Sequence, residues 1–182
     1  MKKLTITVLL VVTAGLMSAF VSPSQLNFKQ TNVVQSEILG DEEVAGLLFM
    51  REEEKLAFDL YSAFYDIYGL QAFQNIANSE LTHTNAIKSL LERYGIADPA
   101  AENKAGVFVD PTLKNLYNRL LAQGIQSLAD AIKAGAAVEE IDIQDLQTRV
   151  EQASMPNIIQ VYENLEAGSR HHLRAFVSLL KL

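Results

Sequence analysis

Apolar residues recur at three- and four-residue intervals through four long segments of this chain, and no segment alternates with period two over a useful length. That periodicity dictates helices that bury one face against each other, and it leaves no material for a sheet. The first segment runs from about Asp41 to Tyr68, with Leu47, Met50, Glu54, Ala57, Tyr61, Phe64 and Tyr68 on one row. The second, about Gln71 to Tyr94, carries Phe73, Ile76, Glu80, His83, Ile87, Leu90 and Tyr94. The third, about Ser127 to Gln152, has a row that starts at Ile125 and continues through Leu128, Ile132, Ala136, Glu139, Ile143, Leu146 and Val150. The fourth, about Asn157 to Leu182, carries Ile158, Tyr162, Leu165, Ser169, His172, Phe176 and Leu179.

Local signals mark the ends. Asp41, Glu42 and Glu43 place negative charge where a helix dipole is positive, and Gly69 and Gly95 follow the first two rows as stops. "GIADPAAENKAGVFVDP" is a long irregular connection, closed by Asp110-Pro111, a cap followed by proline at the first helical position. A short helix from about Pro111 to Gln123 comes next and is broken by Gly124; "SMPN" turns the chain into the last helix. The expectation is an all-α bundle of four long helices, with a crossover that contains a short extra helix.

All four rows are apolar except near their middles, where they carry Glu54, Glu80 with His83, Glu139, and Ser169 with His172. A lone ionised carboxylate in a core costs several kcal/mol unless it is paired or binds a metal. Four interruptions at similar depth are most simply explained together. Glu80 and His83, three residues apart, share one helix face. With no Cys in the chain, a metal must be held by oxygen and imidazole, which suits iron, manganese or zinc. Glu139 competes with Glu140, because a small drift in helix phase would select the second. Asp142 is either a further ligand or surface, and His172 shares its row with Leu165 and Phe176 where His171 does not. Glu52 and Glu53, in the run "REEEK", are expected on a solvated face. Tyr61 and Tyr162 are core tyrosines able to bond a ligand carboxylate.

The N-terminus, "MKKLTITVLLVVTAGLMSAFVSPSQ", has a basic start, an apolar run and then small residues, the pattern of a signal peptide over about residues 1–22, with a retained membrane anchor as the alternative. Either way the remainder is expected outside the cytoplasm, periplasmic or extracellular. Residues 23–40 read as a linker or arm, and 41–182 as the helical domain. The chain has 22 acidic against 15 basic residues, so no basic surface is available to neutralise phosphates, and nucleic acid is excluded as a partner. A homo-oligomer is compatible with the pattern.

"EKLAFDLY" followed by "ELTH" resembles the first two helices of the ferritin-like superfamily, especially rubrerythrin-like domains. With "NIANSELTHTNAIKSLLERYG", "VEEIDIQDL" and "YENLEAGSRHHLRAF", residues 43–180 are similar to an uncharacterised family of secreted ferritin-like proteins known only as domain of unknown function 2202. The resemblance implies a ferritin-like four-helix bundle. It implies metal ligands at Glu54, Glu80, His83, Glu139 or Glu140, and His172, holding one or two ions of iron or manganese. It further implies a metal-dependent oxidoreductase using dioxygen, peroxide or ferrous iron, or else a non-enzymatic bundle that keeps the site as a buried polar network. This chain departs from the pattern on its last helix, where Ser169 stands in place of the carboxylate three residues before His172.

Overall fold

A computed structural model describes residues 39–101 and 104–181. The leader and most of the arm read from the sequence lie outside the described residues. Five helices and no strands occur among the described residues: α1 (Asp41–Tyr68), α2 (Gln71–Tyr94), α3 (Pro111–Gly124), α4 (Leu128–Gln152) and α5 (Pro156–Leu179). No helix among them is long and apolar enough to cross a membrane.

The ends follow the physical signals in the sequence. Gly69 and Gly95 take left-handed backbone, with φ of 64° and 67°, and let the chain leave α1 and α2. The Asp110 carboxylate accepts the N–H groups of Thr112 and Leu113 at 2.7 and 3.1 Å, ahead of Pro111. Glu43 begins α1 and also ties it to the distant α4–α5 turn, accepting the N–H groups of Ser154 and Met155 at 2.7 and 3.0 Å. Gly124 closes α3 from inside its last turn, where an added Cβ would lie 2.1 Å from the Phe64 ring.

The long helices form a ring of contacts: α1 on α2, α2 on α5, α5 on α4, and α4 on α1, with α3 packed on α1 and α4. The core is in two parts. One cluster gathers Leu60, Phe64, Phe73, Ile76, Ala131, Val138 and Phe176; the other gathers Leu47, Met50, Ile87, Leu91, Leu146, Ile158 and Leu165. The order in which each helix meets the two clusters gives its direction. α1 and α5 run one way, and α2 and α4 the other. Since α2 and α4 are parallel, the chain must return along the bundle between them, and the segment 95–110 with α3 makes that return.

Two expectations are corrected. Ile125 and Leu128, placed on the third core row, are 50% and 40% exposed, because they sit at the α3–α4 connection before the buried face of α4 begins at Ala131. Glu52 and Glu53, expected on a solvated face, are each only 2% exposed. The reason lies far along the chain. The crossover folds over α1, and Glu52 accepts the N–H groups of Val109 and Asp110 at 2.6 and 2.8 Å. Arg51 reaches Thr84 on α2 and Asp98 on the crossover, while Lys55 reaches Asp59 and the Lys104 carbonyl. A five-residue charge run therefore fans out around the helix into five different surroundings, all buried.

Candidate metal centre

Between the two apolar clusters lies a polar layer. Every long helix contributes to it at the point where its row is interrupted: Glu54 from α1, Glu80 and His83 from α2, Glu139 and Asp142 from α4, Ser169 and His172 from α5. All seven are buried. The sequence places them there through spacing. Glu80 with His83, Glu139 with Asp142, and Ser169 with His172 are three-residue pairs, each presented on one helix face.

The layer resolves into two triads with ligand atoms within 4.8 Å of one another: Glu54, Glu80 and His83, and Glu80, Glu139 and His172. Glu80 belongs to both. Its Oε2 lies 2.9 Å from His83 Nδ1, and its Oε1 lies 2.7 Å from His172 Nδ1. Glu54 Oε2 is 3.3 Å from His83 Nδ1, and Glu139 Oε2 is 3.6 Å from His172 Nδ1. The imidazole rings stack with centroids 5.5 Å apart.

Of the residues read from the sequence as ligands, the structure brings together Glu54, Glu80, His83, Glu139 and His172. It leaves Glu140 exposed, outside both triads, and His171 exposed as well. Tyr61 is at the site: its hydroxyl donates to Glu139 Oε1 at 2.7 Å. Tyr162 is not; it packs in the second apolar cluster, and its hydroxyl has no hydrogen-bond partner. Two features were less legible. Gly168, in mid-helix beside Ser169, makes room for the His83 ring: a Cβ there would stand 2.6 Å from its Nε2. A glycine inside a helical pattern is the signal of such a close approach. Asp142 is buried, with its Oδ2 accepting the Ser169 hydroxyl at 2.5 Å.

Several buried atoms of the layer lack a directed hydrogen-bond partner: Glu54 Oε1, Glu80 Oε1, Asp142 Oδ1 and His172 Nδ1. His172 Nδ1 and Glu80 Oε1 are close, yet are not aligned for a hydrogen bond with each other. Buried polar atoms beside two clusters of carboxylate and imidazole, left without aligned partners, are a feature that a cation position presents.

The protons of the cation-free site follow from this crowding. Burial, then the charge of Glu80, pushes Glu54 and Glu139 each up to about 8. Burial also works against an ionised Glu80, but the two imidazoles overcome it and hold that carboxyl down at about 2. Burial disfavours charged imidazoles; the facing carboxylates win, raising His83 to about 11 and His172 to about 9. Among the described residues no Lys or Arg pairs with the layer: the buried cations nearest along α1, Arg51 and Lys55, are committed to Asp98 and Asp59.

Residues 43–182 match a family described as an uncharacterized protein domain, DUF2202. The chain belongs to this family. It is 48% identical over 142 residues to the uncharacterized protein MJ0754 of Methanocaldococcus jannaschii, covering 78% of this chain and 77% of that protein. A crystal structure of hypothetical protein MJ0754 from Methanococcus jannaschii superposes with a TM-score of 0.78 at 47% identity, covering 80% of this chain and 83% of the other.

Proposed function

We propose that this DUF2202 protein is an exported, ferritin-like four-helix metalloprotein. It holds one or two ions of iron or manganese, with zinc a weaker candidate, and acts as an oxidoreductase on dioxygen, peroxide or ferrous iron. The observation that carries the reading is Glu80: one carboxylate shared by two triads, each completed by one further glutamate and one histidine. The residues fit the group. Glu54 and His83 would hold one ion, Glu139 and His172 the other, with Glu80 between them, and the unpartnered Oε1 and Nδ1 atoms are the donors available. Carboxylate and imidazole donors without thiolate suit these metals. A bound ion would supply the electron transfer and Lewis acidity that no side chain here supplies.

The chain's own contribution is geometric and electrostatic. The apolar clusters on both sides keep bulk water from the layer, which strengthens every charge interaction within it. Tyr61 orients Glu139 through its hydrogen bond. Loading would displace the protons held by His83, His172, Glu54 and Glu139, so uptake would release protons.

Purified protein loaded anaerobically with Fe²⁺ or Mn²⁺, desalted and assayed by elemental analysis, should retain up to two ions. Glu80→Ala should lose both positions. Absence of bound metal in the wild type would sink the reading. A second reading is favoured by the ion-pair distances at Glu80, 2.9 and 2.7 Å, which already make a connected network. In that reading the layer is purely structural, in a non-enzymatic binding or envelope protein. Wild type without metal, together with a Glu80→Ala variant that folds poorly, would select it.

A further inference from the structure

A cavity of about 520 Å³ opens between the first half of α1, the crossover and α4, and none of its lining residues belongs to either triad. Sites for small organic molecules run from about 300 to 1,000 Å³. Leu48 and Phe49 of α1, with Pro99, Val109 and Pro111, make the lining mostly apolar. Glu52 and Asp110 also border it, but both carboxylates are engaged: Glu52 accepts the N–H groups of Val109 and Asp110, and Asp110 those of Thr112 and Leu113. Arg149 of α4 is the lining residue left unmatched. It is half-buried, and among the described residues it forms no ion pair with a carboxylate. Its Nε is buried without a hydrogen-bond partner, and its terminal amino group donates to the exposed Gln152 at 3.0 Å. The cation stands over the Phe49 ring, 5.2 Å from the centroid, a contact that uses none of its N–H groups. Gly46 gives the arginine stem its place: an added Cβ there would stand 3.2 Å from Arg149 Cδ and 3.3 Å from the Tyr162 hydroxyl. That hydroxyl is buried and unpartnered too, and burial raises its pKa above that of a free phenol, so it keeps its proton and supplies no negative charge.

We infer that this cavity binds a small organic monocarboxylate with an apolar body, its carboxylate on Arg149 and its body against Leu48, Phe49 and Val109. The site is separate from the metal centre and does not depend on it. A guanidinium is planar and carries five N–H groups, so one with donors to spare matches a carboxylate two bonds at a time. Apolar walls on either side strengthen that pairing by excluding water. A cation held partly out of water without an acidic partner is costly, and an incoming carboxylate removes that cost. An apolar amine of the same shape meets the uncompensated arginine and is repelled.

The test uses three probes of one shape, titrated by isothermal calorimetry into full-length protein at low salt: 1-naphthoate, its uncharged counterpart 1-naphthamide, and 1-naphthylmethylamine. Naphthoate should bind about tenfold more tightly than the amide, the scale of a charge-assisted pair, and added salt should narrow the gap. Arg149→Gln should lose the preference for the acid and still bind the amide as wild type does, a split that mere loss of structure would not produce. Ala45→Trp, at an exposed position on the cavity wall, should weaken acid and amide alike by filling the space. Equal affinity of wild type for acid and amide overturns the site, as does tightest binding of the amine. Naphthoate affinity unchanged in Arg149→Gln, or unchanged in Ala45→Trp, overturns it as well, because the probe then sits elsewhere. No binding of naphthoate to wild type at millimolar concentration removes the site altogether.

Discussion

Replacing Gly168 by alanine probes the centre through space alone, without touching a titratable group. The added methyl would sit 2.6 Å from His83 Nε2 and 2.7 Å from its Cε1. Ordinary contact lies near 3.5–4.0 Å, so the ring must retreat by about 1 Å. It has little freedom to do so, because its other edge faces Glu80 and Glu54 at 2.9 and 3.3 Å. Forcing a methyl into a packed site costs about 1–3 kcal/mol. Alanine returns about 1 kcal/mol of helix propensity. The net expectation is a loss of up to about 2 kcal/mol, a drop of about 1 M in the urea midpoint at a slope of about 2 kcal/mol/M. Denaturation is measured in EDTA, and metal content separately. The variant should lose the Glu54–Glu80–His83 position and keep the Glu80–Glu139–His172 position. Gly135→Ala is the control: its methyl would meet Phe176 at 2.8 Å, so it should destabilise and leave metal content unchanged. If Gly168→Ala were about 1 kcal/mol more stable than wild type with undiminished metal, the close packing of α5 on His83 would be refuted.

The cation-free protein should be most stable near pH 4.5–5, well below neutrality. Glu54 and Glu139, raised to about 8, and His83 and His172, raised to about 11 and 9, all hold protons that the unfolded chain releases earlier, so stability falls as pH rises through that range. Glu80, lowered to about 2, adds stability above its unfolded value that is lost as pH falls toward 2. Urea midpoints in EDTA from pH 4 to 9 check this, and a midpoint that rises toward pH 8 would contradict it. Glu52→Ala removes the acceptor for two crossover amides and should cost about 2–4 kcal/mol, with faster proteolysis in residues 95–110 than elsewhere; unchanged cleavage there would show that the crossover is held by other contacts.

Helix spans and the polar layer were legible because both rest on local spacing. The ends of α1 and α2 follow from glycine stops and the start of α1 from its acidic first turn, and the pairing of Glu80 with His83 follows from helix geometry alone. The choice of Glu139 over Glu140, left open by a drift of one residue, needed the packing of α4 on its neighbours. The burial of Glu52 and Glu53 was not legible, since nothing near them in the chain signals it. Glu52 finds its partners 57 and 58 residues away, on a crossover whose path no periodicity reports. The same limit explains Asp142. Its spacing from Glu139 was visible, but its pairing with Ser169 depends on how α4 and α5 meet.

The inward fan of charges on α1 also decides what surface the molecule can offer to others. From Met50 to Tyr61 every residue is buried except Phe58, which is half-buried. The middle of α1 is therefore an axle, not a face, and no second copy or partner can grip it without first stripping off the crossover. Among the described residues the exposed large apolar side chains lie away from that stretch, including Ile67 at the end of α1, Val107 and Val109 on the crossover, Leu81 on α2 and Val177 on α5. A charge run that looks like the most replaceable stretch of a helix is the one where a single inserted residue would rotate five buried contacts out of register at once.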